Sequence, residues 1–138
     1  MEIEDDLISL KLPDATQEES IIKVIGVGGG GSNAVNHMFR QGIHGVEFVV
    51  CNTDIQALRQ SRVKNRIQLG KELTEGRGAG CQPERGRLSA IESMDFIKTI
   101  LEHNTRMVFI TAGMGGGTGT GAAPEIARQA KELGILTI

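Results

Sequence analysis

The residues best suited to chemistry in this sequence form a glycine and threonine run at 115–121, Gly-Gly-Gly-Thr-Gly-Thr-Gly. The run follows the apolar stretch 107–110 and precedes the helix-like stretch 122–127. Between a strand and a helix, such a loop can wrap backbone N–H groups around phosphate oxygens, and glycine allows the positive φ angles that the wrap needs. The threonine hydroxyls add hydrogen-bond donors. The pattern therefore predicts a phosphate-binding loop rather than a flexible linker.

Two further glycine clusters lie at 26–31 and 76–80. The first fits the dinucleotide fingerprint G-x-G-x-x-G, and Asp54 stands after the next apolar run, where that fingerprint requires an acidic residue. A P-loop is excluded because Ser32 occupies its lysine position. Taken alone, the first cluster indicates an NAD-binding dehydrogenase domain.

Alternating strand and helix patterns must position these loops. Short β-branched or alternating runs predict five strands, at 21–25, 46–50, 65–69, 107–111 and 134–138. Caps, breakers and helical spacing predict helices from Ser32-Asn33 to Gly42, at 55–58, from Pro83 to about His103, and from Pro124 to Leu133. In the third helix, the residues predicted to face the core are Leu88, Ile91, Met94, Ile97 and Leu101. Residues 70–82 are predicted to be a long loop.

This alternation predicts an α/β fold, a Rossmann-like doubly wound parallel sheet of order 3-2-1-4-5. The two richest glycine loops follow strands 1 and 4, so both would line the crevice at the switch point between those strands. Three N–H-rich loops at one crevice suit a di- or triphosphate better than the single pyrophosphate of a dinucleotide. Without a P-loop lysine, helix N-termini and a metal ion would neutralise the phosphate charge, with Arg77, Arg85 and Arg87 as nearby basic candidates.

Composition limits the remaining possibilities. The 138 residues, 39% hydrophobic and 23% charged, are typical of one globular domain, and a net charge of −2 disfavours nucleic acid as a partner. No apolar run is long enough to insert into a membrane. Residues 1–20 are acidic and predict a flexible arm, whereas 21–138 form the folded part. Two isolated cysteines, Cys51 and Cys81, suit a reducing cytoplasm.

Several motifs, in the same order along the chain, resemble those of the tubulin/FtsZ family. They are the run 115–121, residues 22–34, Asn-Thr-Asp-Ile-Gln-Ala-Leu at 52–58, Gly-Ala-Gly at 78–80 and Pro-Glu-Arg-Gly-Arg at 83–87. The resemblance extends from about residue 21 to the last residue. It implies the GTPase-domain fold of that family, with GTP or GDP and Mg²⁺ as ligands.

The resemblance also implies roles for individual residues. It assigns the diphosphate to residues 28–32 and 116–120, the nucleoside to Asn33 and the γ-phosphate to residues 79–81. Residues 52–54 would shape the site and influence a Mg²⁺ ion that binds through the nucleotide, with Asp54 in its outer environment. The full nucleotide-binding set is Gly28, Gly29, Gly30, Gly31, Ser32, Asn33, Asn52, Thr53, Asp54, Ala79, Gly80, Cys81, Gly115, Gly116, Gly117, Thr118, Gly119 and Thr120. The sequence departs from the family pattern at Ser32, a usual glycine, and at Cys81-Gln82, a usual Ala-Asn pair.

For the whole protein, the resemblance implies a GTP-hydrolysing cytoskeletal protein of the bacterial division ring. Such proteins assemble head to tail with copies of themselves in the cytoplasm at mid-cell, where membrane tethers and regulators bind them. Residues 21–138 would be the amino-terminal part of the GTP-binding domain, ending in or near strand 5. The guanine-reading residues and the acidic catalytic loop would follow Ile138, so we expect no catalytic residue here and weak or no nucleotide binding. A polymer subunit that binds nucleotide only to control assembly remains an alternative.

Overall fold

The computed structural model describes residues 21–138, so the arm predicted for 1–20 lies outside the described part. Five parallel strands form one sheet in the order β3-β2-β1-β4-β5. The strands are β1 (Ile22–Val27), β2 (Glu47–Asn52), β3 (Asn65–Gln68), β4 (Met107–Ala112) and β5 (Leu136–Thr137). The predicted fold class and strand order are confirmed.

Helices cover both faces of the sheet. They are α1 (Gly28–Arg40), α2 (Ile55–Gln60), α3 (Lys71–Thr74), α4 (Pro83–Glu92), α5 (Met94–Glu102) and α6 (Thr118–Glu132). Val35 of α1 and Leu58 of α2 pack in a core on one face, and Ile97 of α5 and Ile126 of α6 pack in a larger core on the other. Within the described residues, no helix has the length and apolar character needed to cross a bilayer.

Both helices that follow the glycine loops begin earlier than predicted. The helix α1 starts at Gly28, not after Ser32-Asn33, and α6 starts at Thr118, so that Pro124 lies inside it on an exposed side. Glycine disfavours helix as an isolated residue, but close packing on the strands overrides that preference. A Cβ on Gly31 would lie 2.3 Å from the carbonyl oxygen of Thr111 in β4. The glycines at 28–31 therefore form the first turn of α1, and Gly119 and Gly121 lie in the first turn of α6.

The predicted helix 83–103 is two helices, and its predicted core stripe is partly wrong. The helix is interrupted at Ser93. The Ser93 hydroxyl accepts a hydrogen bond from the Gly70 amide at 3.1 Å and donates one to the Gln68 carbonyl at 3.3 Å. Leu88 and Ile91 are 40% and 45% exposed, because small residues form the buried face of α4: Gly86, Ser89 and Ala90. The predicted loop 70–82 also contains α3.

The absence of side chains lets α4 and α6 approach closely. A Cβ on Gly121 would lie 1.8 Å from the carbonyl oxygen of Pro83 and 2.6 Å from the Arg87 amide. A Cβ on Gly86 would lie 2.4 Å from the carbonyl oxygen of Gly117. The contact places the start of α4 beside the start of α6.

We expect Gly121→Ala to lower the free energy of unfolding by at least about 1–3 kcal/mol, because the methyl group would meet backbone atoms that cannot rotate away. The matched control is Gly29→Ala in the first turn of α1, where an added Cβ meets nothing within 4 Å. There we expect no loss, and a gain of up to about 1 kcal/mol. Urea denaturation followed by circular dichroism measures both. Equal stabilities for the two variants would contradict the packing described above.

Burial also predicts a pH dependence. The Cys51 thiol lies in the core, and burial raises its pKa from 9.0 to about 12. Below pH 9 the thiol is protonated in both the folded and the unfolded chain and contributes no pH dependence. Above pH 9 only the unfolded chain ionises it, so the free energy of unfolding should fall by up to about 1.4 kcal/mol per pH unit. Denaturation between pH 8 and 10.5 should show a shallower fall for Cys51→Ala than for the parent chain.

Candidate functional site

The two glycine-rich helix starts meet at the carboxyl edge of the sheet. Strands β1 and β4 pair in parallel with Val27 opposite Ala112, so the helices that follow them start side by side. Gly28 has a φ of +74°, and a Cβ on it would lie 2.8 Å from the backbone nitrogen of Gly119. The structure therefore brings residues 28–33 and residues 115–120, which the sequence predicted to bind nucleotide, close together.

Neither helix start is capped by a side chain. The residues before the first turns, Val27 for α1 and Gly117 for α6, make no side-chain hydrogen bond to the helix, and no acidic residue lies in either first turn. The first N–H groups of a helix have no partner within the helix, and the helix dipole places partial positive charge there. Two such ends at one crevice favour an anion, above all a phosphate.

The loop that contains residues 79–81 lies directly against the glycine run 115–121. A Cβ on Gly117 would be 2.8 Å from the Ala79 side chain and 2.9 Å from the Gln82 amide nitrogen. Gly80 and Cys81 both have a φ of +59°, and the Cys81 side chain is exposed. A left-handed cysteine costs about 1–2 kcal/mol relative to glycine. Residues 79–81 thus lie at the rim of the same crevice.

Residues 52–54 support the crevice from behind. The Asn52 Oδ1 atom accepts from the amides of Thr53 at 2.8 Å and Asp54 at 3.3 Å. The Thr53 hydroxyl contacts the Thr118 hydroxyl at 2.6 Å, and both are buried. The Asp54 carboxylate caps α2 by accepting from its first amides. Its Oδ1 atom is therefore engaged by the Gln56 and Ala57 amides.

The predicted set divides into an exposed part and a buried part. The exposed members are Gly29, Gly30, Asn33, Gly80, Cys81, Gly115 and Gly116. Asp54 and Thr120 are half-buried, and the remaining members are buried. Added Cβ atoms on Gly29, Gly115 and Gly116 would meet nothing within 4 Å. These backbone positions are open to a ligand.

Ser32 has an unusual hydroxyl. Its side chain is only 7% exposed, and its Oγ has no hydrogen-bond partner among the described residues. An unsatisfied buried hydroxyl costs about 1–3 kcal/mol. Side chains of a helix lean toward its N-terminus, so this hydroxyl lies over the first turn of α1.

Charged side chains contribute little to the crevice. Arg87 donates to Glu84 at 2.9 Å and holds the pKa of that carboxyl below its usual value, while Arg85 donates to the Leu73 carbonyl at 3.0 Å. Arg77 lies 3.8 Å from Glu75 and is exposed. Across residues 21–138, no cluster of three or more His, Cys, Asp or Glu side chains could hold a metal ion. Any bound phosphate would rely on backbone N–H groups.

One contact residue escaped the sequence reasoning. The Gly113 Cα would lie 3.1 Å from a Cβ on Gly30, and its carbonyl oxygen 2.6 Å from a Cβ on Gly119. Gly113 therefore joins the two loops from the end of β4. Its only sequence signal is its position beside the glycine run 115–121.

Comparisons with known proteins agree with this geometry. The profile described as "Tubulin/FtsZ family, GTPase domain" matches residues 21–138. A cell division protein FtsZ from Buchnera aphidicola subsp. Acyrthosiphon pisum is 60% identical over 126 residues, covering 91% of this chain and 33% of that protein. The chain thus spans about a third of the length of this relative.

Solved structures show the same fold. An empty FtsZ dimer from M. jannaschii matches with a TM-score of 0.81 and 42% identity, over 87% of this chain and 35% of that one. A Haloferax volcanii CetZ2, described as a GTPγS-bound protofilament, matches with a TM-score of 0.74 and 25% identity, over 84% and 37% of the two chains. With its residues 21–138 matching the GTPase domain, the chain belongs to the Tubulin/FtsZ family.

Proposed function

We propose that this chain supplies the phosphate-binding half of a GTP site in a filament-forming cell-division GTPase. The observation that carries the proposal is the contact between two uncapped helix N-termini, made where Gly28 meets Gly119. A triphosphate suits this arrangement, because its charge would be shared between two helix dipoles and the adjoining loop 79–81.

In this proposal the nucleotide lies along the two helix starts, which it reaches through the exposed Gly29, Gly30 and Gly116. Residues 28–32 and 116–120 would hold the diphosphate, and residues 79–81 the γ-phosphate. The buried Ser32 hydroxyl would gain a partner from a phosphate oxygen or a water bound with it. Asn33, exposed one residue further along α1, would contact the nucleoside.

A Mg²⁺ ion would bind through the phosphates rather than through a protein cluster. Among the described residues no such cluster exists, and the Asp54 carboxylate accepts from the Gln56 amide at 2.9 Å. Asp54 would therefore act from outside the ion's first coordination sphere. When bound, the ion would neutralise phosphate charge, a role that a P-loop lysine fills in other sites and that Ser32 cannot fill here.

Hydrolysis and assembly belong to the whole protein in this proposal. The relative from Buchnera is named a cell division protein, and the CetZ2 neighbour is described as a protofilament. By that likeness the protein would polymerise head to tail with copies of itself in the cytoplasm at mid-cell, bound by membrane tethers and regulators. The acidic residues that complete catalysis would come from sequence beyond residue 138.

The family match and the position of Asp54 count against the dehydrogenase interpretation. The acidic residue expected to bind a ribose is Asp54, and its carboxylate caps α2 instead. The family match assigns the first glycine cluster to a GTPase domain.

We expect weak binding of Mg²⁺·GDP by the chain, at about millimolar concentrations. An ¹⁵N-labelled sample should show amide shifts at Gly29, Gly30 and 115–120, and NAD should not reproduce them. Gly29→Asp should abolish these shifts without lowering stability, because a carboxylate repels phosphate but favours a helix N-terminus. Gly29→Asn is the matched neutral control and should retain binding. Shifts that persist in Gly29→Asp would contradict the placement of the phosphate at the start of α1.

The chain alone should not turn over GTP. Phosphate release from Mg²⁺·GTP should equal the rate in buffer, since in this proposal the acidic residues that complete catalysis are not among residues 21–138. Gly29→Asp serves as the binding-deficient control. Steady hydrolysis that disappears in Gly29→Asp would place catalytic groups within these 138 residues.

A further inference from the structure

Thr53 lies at the centre of a buried hydrogen-bond network behind the crevice. It is 0% exposed, so it presents no surface to a ligand. Its hydroxyl meets the Thr118 hydroxyl at 2.6 Å across 65 residues of sequence. Thr118 is the first residue of α6, at the uncapped end. Thr53 therefore touches a residue of the crevice without reaching the crevice itself.

The backbone of Thr53 is hydrogen-bonded to the segment 74–78. Its carbonyl oxygen accepts from the Gly78 amide at 3.3 Å and from the Thr74 hydroxyl at 3.4 Å. Two residues further on, the Ile55 amide donates to the Gly76 carbonyl at 3.1 Å. The segment 74–78 is thus attached to the end of β2 at Thr53.

We propose that Thr53 is a positioning residue that transmits phosphate occupancy at α6 to the loop 76–80. The inference rests on the proposed function and extends it from binding to regulation. A hydroxyl has one proton to donate and lone pairs to accept. When Thr118 donates its proton to a phosphate oxygen, Thr53 must donate in the Thr53–Thr118 hydrogen bond. The direction of that hydrogen bond is then fixed. Without phosphate, either hydroxyl can be the donor.

The side chain of Thr53 is suited to this coupling. A β-branched residue has little freedom at χ1, and the Thr53 side chain is fully buried. A change at its hydroxyl is therefore passed to its backbone, to which Gly78 is bonded. The loop 76–80 carries the exposed Arg77 side chain and leads into the exposed Cys81. Phosphate occupancy would thereby alter the outer surface beside the site.

The loop 76–80 could also respond to α6 by a second route, and any test must distinguish that route from the one through Thr53. Ala79 lies against Gly117 directly, so the loop could respond to α6 without Thr53. Thr53→Val removes the hydroxyl, keeps the branched shape and leaves the Ala79 contact intact. Thr53→Ser keeps the hydroxyl and serves as the matched control. Thr118→Val removes the partner hydroxyl from the other side.

The first measurement is hydrogen exchange of the Gly78 amide without ligand. Thr118→Val and Thr53→Val should each accelerate this exchange roughly three- to tenfold, and the double variant no further, because all three lose the same bond. Thr53→Ser should exchange like the parent chain. Unchanged Gly78 exchange in Thr118→Val overturns the proposal, whether or not the chain binds nucleotide.

The second measurement adds Mg²⁺ and inorganic pyrophosphate to the ¹⁵N-labelled chain. In the parent and in Thr53→Ser, shifts at 117–120 should be accompanied by slower exchange at Gly78. In Thr53→Val, the shifts at 117–120 should remain while Gly78 no longer responds. An equal response of Gly78 in Thr53→Val assigns the coupling to Ala79 and overturns the proposal. If no variant shifts at 117–120, the proposed function fails, and the ligand-free exchange decides the role of Thr53.

Discussion

Backbone-to-backbone contact between the starts of α1 and α6 is the constraint on which the rest of the structure depends. Gly28 approaches Gly119 so closely that a Cβ would lie 2.8 Å from a backbone nitrogen. Gly31 lies closer still to β4, where a Cβ would be 2.3 Å from the Thr111 carbonyl oxygen. Any side chain at these positions would push the helices off the sheet, and the crevice between them would widen. The same absence of side chains at Gly86 and Gly121 lets α4 support α6 from the outer side.

This construction determines the electrostatics of the site. The crevice gathers partial positive charge from two uncapped helix ends, while nearby arginines bind elsewhere, as Arg85 does to the Leu73 carbonyl. Helix dipoles supply less charge than a lysine ammonium would, but they are fixed in place and need no ordering when a ligand binds. A site of this kind holds phosphate by geometry and leaves charge neutralisation to a metal ion.

Much of the architecture could be predicted because the strands are short β-branched or alternating runs and every crossover contains at least one helix. The errors share a cause, which is packing between elements distant in sequence. Leu88 and Ile91 have helical spacing, yet α4 buries its small residues against α6, and only that neighbour decides which face is inside. The helix break at Ser93 depends on Gly70, 23 residues away. Local patterns carry no record of such partners.

The sequence by itself determined the sheet order, the three glycine loops and, through family resemblance, the residues assigned to nucleotide. It could do so because glycine spacing and apolar periodicity are local properties of the chain. Only the tertiary structure decided which of those residues face a ligand and which lie behind them. Asp54 caps α2 and Thr53 joins Thr118, although both stand beside Asn52 in one motif. Asp54 finds its partners two and three residues ahead, but the role of Thr53 depends on where the chain returns 65 residues later, which no local pattern encodes.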